Sequence, residues 1–129
     1  MSPLARLRRF GAATSGASAV EFALVLPAFV LLVLGSISAA TLGFSVASMN
    51  YAVEEAARCA AVKKAACLTP ADIAKYARAQ YVGPAVSPVF TYSTAGCGNT
   101  VTGTATYSLD LVPQFTNVPL STAACHPSA

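Results

Sequence analysis

Four cysteines, one histidine and five acidic side chains are the residues of this chain suited to nucleophilic, metal or acid–base chemistry. Their spacing argues against all three. Cys59, Cys67, Cys97 and Cys125 contain no C-x-x-C pair, and His126 stands beside Cys125 alone, so no zinc set is expected. His126 lies near the C-terminus and reads as a solvated tail residue rather than a partner for a catalytic thiol. There is no Gly-rich phosphate loop, and a catalytic set would have to be gathered from His126 and the scattered Glu54, Glu55, Asp72 and Asp110. The expectation is no enzyme, no cofactor and no metal.

What the cysteines can do is bridge. Four of them allow three pairings. Within one helix Cys59 and Cys67 would stand about 12 Å apart, beyond the Cα separation of about 4.4 to 6.8 Å that a disulfide tolerates. They can pair only if the helix breaks near Lys64. The favoured set is Cys59 with Cys67, a staple across a helix turn, and Cys97 with Cys125, a clamp across a sheet.

The fifth acid, Glu21, is of a different kind, because it opens a segment fit to cross a membrane. From Phe22 to Val53 there is no Asp, Glu, Lys or Arg, and about 20 apolar residues at 1.5 Å rise span a bilayer core of about 30 Å. A carboxylate at that edge is costly unless paired, and is a functional suspect for that reason. The formal charge of +3 sits in Arg6, Arg8 and Arg9 alone, since the other five basic residues balance the five acids. Nucleic-acid binding therefore lacks its electrostatic footprint. Three arginines ahead of the span instead keep the N-terminus in the cytoplasm and send the rest outward. All four cysteines then lie on the oxidising side, which favours disulfides.

Residues 1–16 are basic, short and rich in small residues, as in a targeting leader. In an ordinary secretory signal the apolar region precedes the cleavage site. Here the small residues come first, so a cut leaves the hydrophobic segment on the mature chain. Gly16-Ala17-Ser18-Ala19-Val20-Glu21-Phe22 resembles the processing site of prepilins: a Gly, four small or apolar residues, then Glu and an aromatic. Cutting after Gly16 makes Glu21 the fifth residue of the mature chain, whereas Gly11 does not fit that register. The run on to Pro27, with Ala56-Ala57-Arg58 further along, is similar to the TadE/TadF-like minor pilins of tight-adherence pilus systems. So are the Val101–Tyr107 stretch and the Leu120–Ala124 tail. The resemblance implies a prepilin peptidase as processing partner and other pilin-like subunits and the assembly machinery as later ones. It also implies that Glu21, with Phe22 beside it, neutralises the Ala17 ammonium of a neighbouring subunit.

Pro27 predicts a kink in the span between Ala23 and Pro27. Gly35, Ala39 and Gly43 form a small-residue row on which another helix could pack, or simply a small-residue helix in lipid. Beyond Phe44 the helix should continue outward to about Val62, with Asn50, Glu54 and Arg58 as a polar stripe and Met49, Ala52, Val53, Ala56, Cys59 and Ala60 facing a core. Lys63 and Lys64 suit its C-terminus. Thr69 as N-cap, Pro70 at the first position and Asp72 at the third predict a second helix over 70–82, ended by Gly83. Strands are expected at Val86–Ser93, across Val101–Leu111, and at Phe115–Ala124 interrupted by Pro119.

The fold class expected is α+β: a long N-terminal transmembrane helix continuing into a small extracytoplasmic domain with a second short helix and a small antiparallel sheet. The divisions are a leader 1–16, a transmembrane and assembly helix 17–48 and a head 49–129. The localisation that follows is a bacterial inner membrane, single-pass, with the head extracytoplasmic and possible incorporation into a pilus. The competing reading is a membrane-anchored extracytoplasmic binding module whose leader is never cut.

Overall fold

The structure, a computed structural model, describes residues 16–62, 65–84, 86–94, 96–108 and 117–128. Lys63, Lys64, Leu109 and Leu111, to which the sequence assigned a helix end and strand positions, lie outside the described residues, as does the leader up to Ser15. The chain is α+β and divides into two compact units, Met1–Ile37 and Ser38–Ala129.

Helix α1 (Ala17–Ala61) is unbroken through Pro27. In the first unit every described side chain from Ser18 to Ile37 is exposed. From Phe22 to Ile37 all but Ser36 are apolar residues, and apolar side chains with nothing covering them are what a lipid-facing helix presents.

The second unit is built from the outer part of α1, helix α2 (Pro70–Gln80) and strands β1 (Val89–Ser93), β2 (Asn99–Ser108) and β3 (Asn117–His126). The sheet is antiparallel in the order β1-β2-β3. Its core joins Ala52, Val53, Ala56, Ala57, Cys59 and Ala60 of α1 to Cys67, Ile73, Ala77, Phe90 and Val101. Glu54 and Arg58 are exposed away from it, and Asn50, also exposed, stands at its edge beside Thr122 of β3. The α1 contribution is mostly alanine, and so short a side chain lets the helix lie close to the sheet. Gly103 in β2 answers the same need: a Cβ there would stand 2.9 Å from Phe90 Cε1 and 3.2 Å from Val53 Cγ1.

Helix α2 opens with a complete capping box. Asp72 N donates to Thr69 Oγ1 at 3.1 Å while Thr69 N donates to Asp72 Oδ2 at 3.2 Å, satisfying two otherwise orphaned amides. The helix ends at Gln80, two residues earlier than its pattern predicts, because Tyr81 is already extended (φ −75°, ψ 120°). Gly83 does not act as a left-handed terminator. It makes room for Tyr81, whose Cε2 would lie 2.7 Å from a Cβ at position 83.

The sheet also departs from expectation at both edges. The strand expected from Val86 begins only at Val89, because Val86 N turns back onto Pro84 O at 2.7 Å and Ser87 has φ 44°. Pro88 therefore precedes β1 instead of weakening it. Strand β3 runs unbroken through Pro119, which pairs with Thr106. Because β3 is an outer strand, every second amide points away from the ladder and a proline can occupy such a place at no cost in bonding. His126 is the last residue of β3, half-buried opposite Asn99, and not a tail residue.

Two disulfides close the unit. Cys59 and Cys67 have Cα atoms 5.9 Å apart, α1 having ended at Ala61, and Cys97 and Cys125 are joined at 6.2 Å. The first bond holds the start of α2 beside Cys59. The end of α2 is held beside Ser48, whose Oγ accepts from Val82 N at 2.9 Å. Ser48 and Cys59 are separated by 11 positions, as many as the residues of α2. Both stretches therefore cover about 16 Å, so α2 runs antiparallel back along α1 toward residue 48.

Candidate processing and assembly segment

The residues singled out at the N-terminus are brought together by the first turns of α1. Gly16 is exposed directly ahead of the helix and Ala17 is its first residue. Glu21 and Phe22 follow on exposed surface, Phe22 with 66% of its side-chain surface free. A single residue of tighter 3-10 turn at Gly16 leads straight into the α-helix that starts at Ala17. Glu21 stands at the start of the second turn, where the positive end of the helix dipole still favours a carboxylate modestly.

Further along, Gly35 and Gly43 have open space where a Cβ would be. Neither is filled by the chain itself, so the row with Ala39 is sterically free to receive another helix. Ser36 and Ser45 do not carry unmet hydrogen bonds into that environment. Ser36 Oγ donates to Val33 O at 2.8 Å and Ser45 Oγ to Thr41 O at 2.9 Å. Such back-bonding is how hydroxyls are accommodated in an apolar helix. The stretch Ser18–Ala61 is long and apolar enough to cross a membrane.

The second unit offers no assembled catalytic set among the described residues. No three His, Cys, Asp or Glu side chains converge, and all four thiols are in disulfides. A hollow of about 310 Å³ beside α2 is lined by Ala66, Asp72, Lys75, Tyr76 and Ala79, but its carboxylate is engaged in the helix cap. A smaller one of about 170 Å³ lies between Val46 and Met49 of α1 and Pro119–Thr122 of β3. Thr122 donates to Asn50 beside it.

A polar cluster missed by sequence reasoning lies where α2 returns to α1. Ser45 and Ser48 are buried, and Tyr81 packs over them with its hydroxyl donating to Pro84 O at 2.8 Å. Burial pushes the Tyr81 phenol above its ordinary value, and a hydrogen bond with Ser45 offsets part of that rise. No local pattern announces the cluster, because its two halves are more than 30 positions apart.

The molecule so defined is an α+β protein with one candidate membrane helix and a disulfide-closed unit of two helical segments and three strands. Residues 16–58, about a third of the chain, match the family model for TadE-like protein, so that the stretch from Gly16 through most of α1 resembles that family. That match associates it with the pilin-like proteins of tight-adherence pili. No curated protein and no solved structure matches the chain.

Proposed function

We propose that the chain is a minor pilin-like structural subunit supporting biogenesis of a tight-adherence type IV-like pilus. It is made as a precursor in the inner membrane, with Arg6, Arg8 and Arg9 on the cytoplasmic side. A prepilin peptidase removes 1–16 between Gly16 and Ala17. Residues 17–48 then serve as transmembrane and assembly helix, and 49–129 form the extracytoplasmic head. The new ammonium of Ala17 and the carboxylate of Glu21 on a neighbouring subunit neutralise one another in an apolar setting, where an unpaired charge is costly. That pairing sets the axial register between subunits.

The observation that carries this reading is where the TadE-like match starts: at Gly16, the residue that a cut before Ala17 requires. The free space around Gly35 and Gly43 supports helix-to-helix assembly. Mass spectrometry of the membrane-extracted protein tests the proposal. The expected N-terminus is Ala17, a bulky residue at Gly16 should block the cut, and change at Gly11 should not. A chain that keeps residues 1–16 would sink the pilin reading and leave the uncleaved membrane-anchored binding module.

A further inference from the structure

The place where α2 comes back to α1 coincides with the level at which the span should leave the bilayer. Counting about 20 residues from Phe22 puts the outer edge of the hydrocarbon near residue 42 of α1. Phe44 is 55% exposed, one turn below Ser48 and on the same helix face, and Val82, tied to Ser48 by its amide, is 75% exposed. Tyr81, next to Val82 in the chain, is half-buried as an amphipathic ring with its hydroxyl donating to Pro84 O and a hydrogen bond to Ser45, one residue from Phe44.

The surrounding sequence is as informative as the exposure. The second unit carries no Asp, Glu, Lys or Arg before Glu54, and none from Ala79 to Leu109. Its charges are therefore kept off the segment between α2 and β1. The nearest, Arg78, lies exposed in the last turn of α2, four residues before Val82. That is where a lipid phosphate would meet it. Two amides of the segment are satisfied internally: Val82 N donates to Ser48 Oγ and Val86 N to Pro84 O.

We infer that the segment Tyr81–Pro84, together with Phe44, is a lipid-docking surface that seats the second unit on the outer leaflet, with Val82 in the interfacial region. Its partner is the bilayer surface that α1 crosses, and continuity with the span is what selects lipid over any other apolar occupant. The inference rests on the reading of α1 as a membrane span. An amphipathic aromatic, an exposed valine and a flanking arginine form the combination that membrane interfaces retain.

The chain contains no Trp, so single tryptophans report depth without background. V82W, F44W, L32W and L68W variants of the full chain would be placed in phosphatidylcholine vesicles, with acyl bromines either near the headgroup or deep in the core. Complete absence of free thiols verifies that each variant has folded. We expect L32W to be quenched by deep bromines. V82W and F44W should be quenched by shallow ones and blue-shifted relative to L68W, which sits beside the Cys59–Cys67 bond and should keep its full fluorescence. L32W quenched with V82W as bright as L68W overturns the docking surface and leaves the span standing. L32W unquenched removes the span and the docking surface with it. Equal quenching of V82W and L68W means general adsorption and overturns the assignment. A V82W blue shift that appears only at high protein density, without bromine quenching, assigns the surface to a second copy and overturns it too.

Discussion

Gly103→Ala tests whether α1 and the sheet are packed as closely as the coordinates indicate. The added methyl would meet Phe90 at 2.9 and 3.1 Å and Val53 Cγ1 at 3.2 Å, and both neighbours are almost fully buried. Overpacking of that kind costs about 1–3 kcal/mol. Replacing a glycine in a strand recovers about 0.4–1 kcal/mol through the unfolded chain, leaving a net loss of about 1–2 kcal/mol. Val53→Ala alone removes two buried carbons and should cost about 2 kcal/mol. The double variant is the informative one. The space left by Val53 lets the new methyl and the Phe90 ring relax, so its loss should fall short of the sum by about 1 kcal/mol, the size expected for neighbours in contact. The assay is guanidinium unfolding of the full chain in detergent, followed by tyrosine fluorescence, since α1 dominates the far-ultraviolet signal. With slopes of a few kcal/mol/M, G103A should lower the midpoint by about 0.5 M. A neutral or stabilising G103A, or strictly additive losses, would refute the close approach of helix and sheet.

Two other measurements follow. The loop closed by Cys97–Cys125 spans 28 residues and that by Cys59–Cys67 spans 8, so chain entropy assigns them about 3.6 and 2.5 kcal/mol. Burial of Cys59 and Cys67 adds lost packing to the second; paired Ala substitutions should therefore give losses within about 1 kcal/mol of each other, and a near-zero effect of C97A/C125A would contradict the entropic account. The raised Tyr81 phenol makes folding favour its neutral form. Its contribution is thus complete below the ordinary value of about 10 and is lost as pH rises through the folded value. Unfolding midpoints measured from pH 8 to 11 should fall more steeply for the native chain than for Y81F, and parallel curves would remove burial as the cause.

Local chemistry made the helices legible. Thr69, Pro70 and Asp72 announce α2 because capping is settled within four residues, and the alternation of Asn50, Glu54 and Arg58 against alanines announces the buried face of α1. The strand edges were not legible, since whether Pro119 breaks a strand depends on which neighbour lies beside it, and that is decided by the sheet order. Likewise Val86–Pro88 has strand-like composition, yet Val86 N turns back onto Pro84 O and Ser87 takes a positive φ, neither of which alternation of residue types announces. Gly83 looked like a helix stop and is instead a clearance for an aromatic ring. For Gly16–Phe22 the order was reversed: the motif is plain in the sequence, and the structure adds only that it stands at a helix start with Gly16, Glu21 and Phe22 exposed. The Ser45, Ser48 and Tyr81 cluster is tertiary throughout, and no window of sequence contains it.

Both covalent bridges lie at one end of the second unit. Cys59–Cys67 marks the far end of α2, and Cys97–Cys125 sits where β2 pairs with the end of β3, while the opposite end is held by Ser48, Val82 and Asn50 through hydrogen bonds and packing alone. Tension drawn along α1 from its N-terminal side would therefore peel the unit open from its weak end. The two bridges then act as stops: they cap the length of chain that can be drawn out, and leave a cross-linked remnant from which the rest can close again once the load is released.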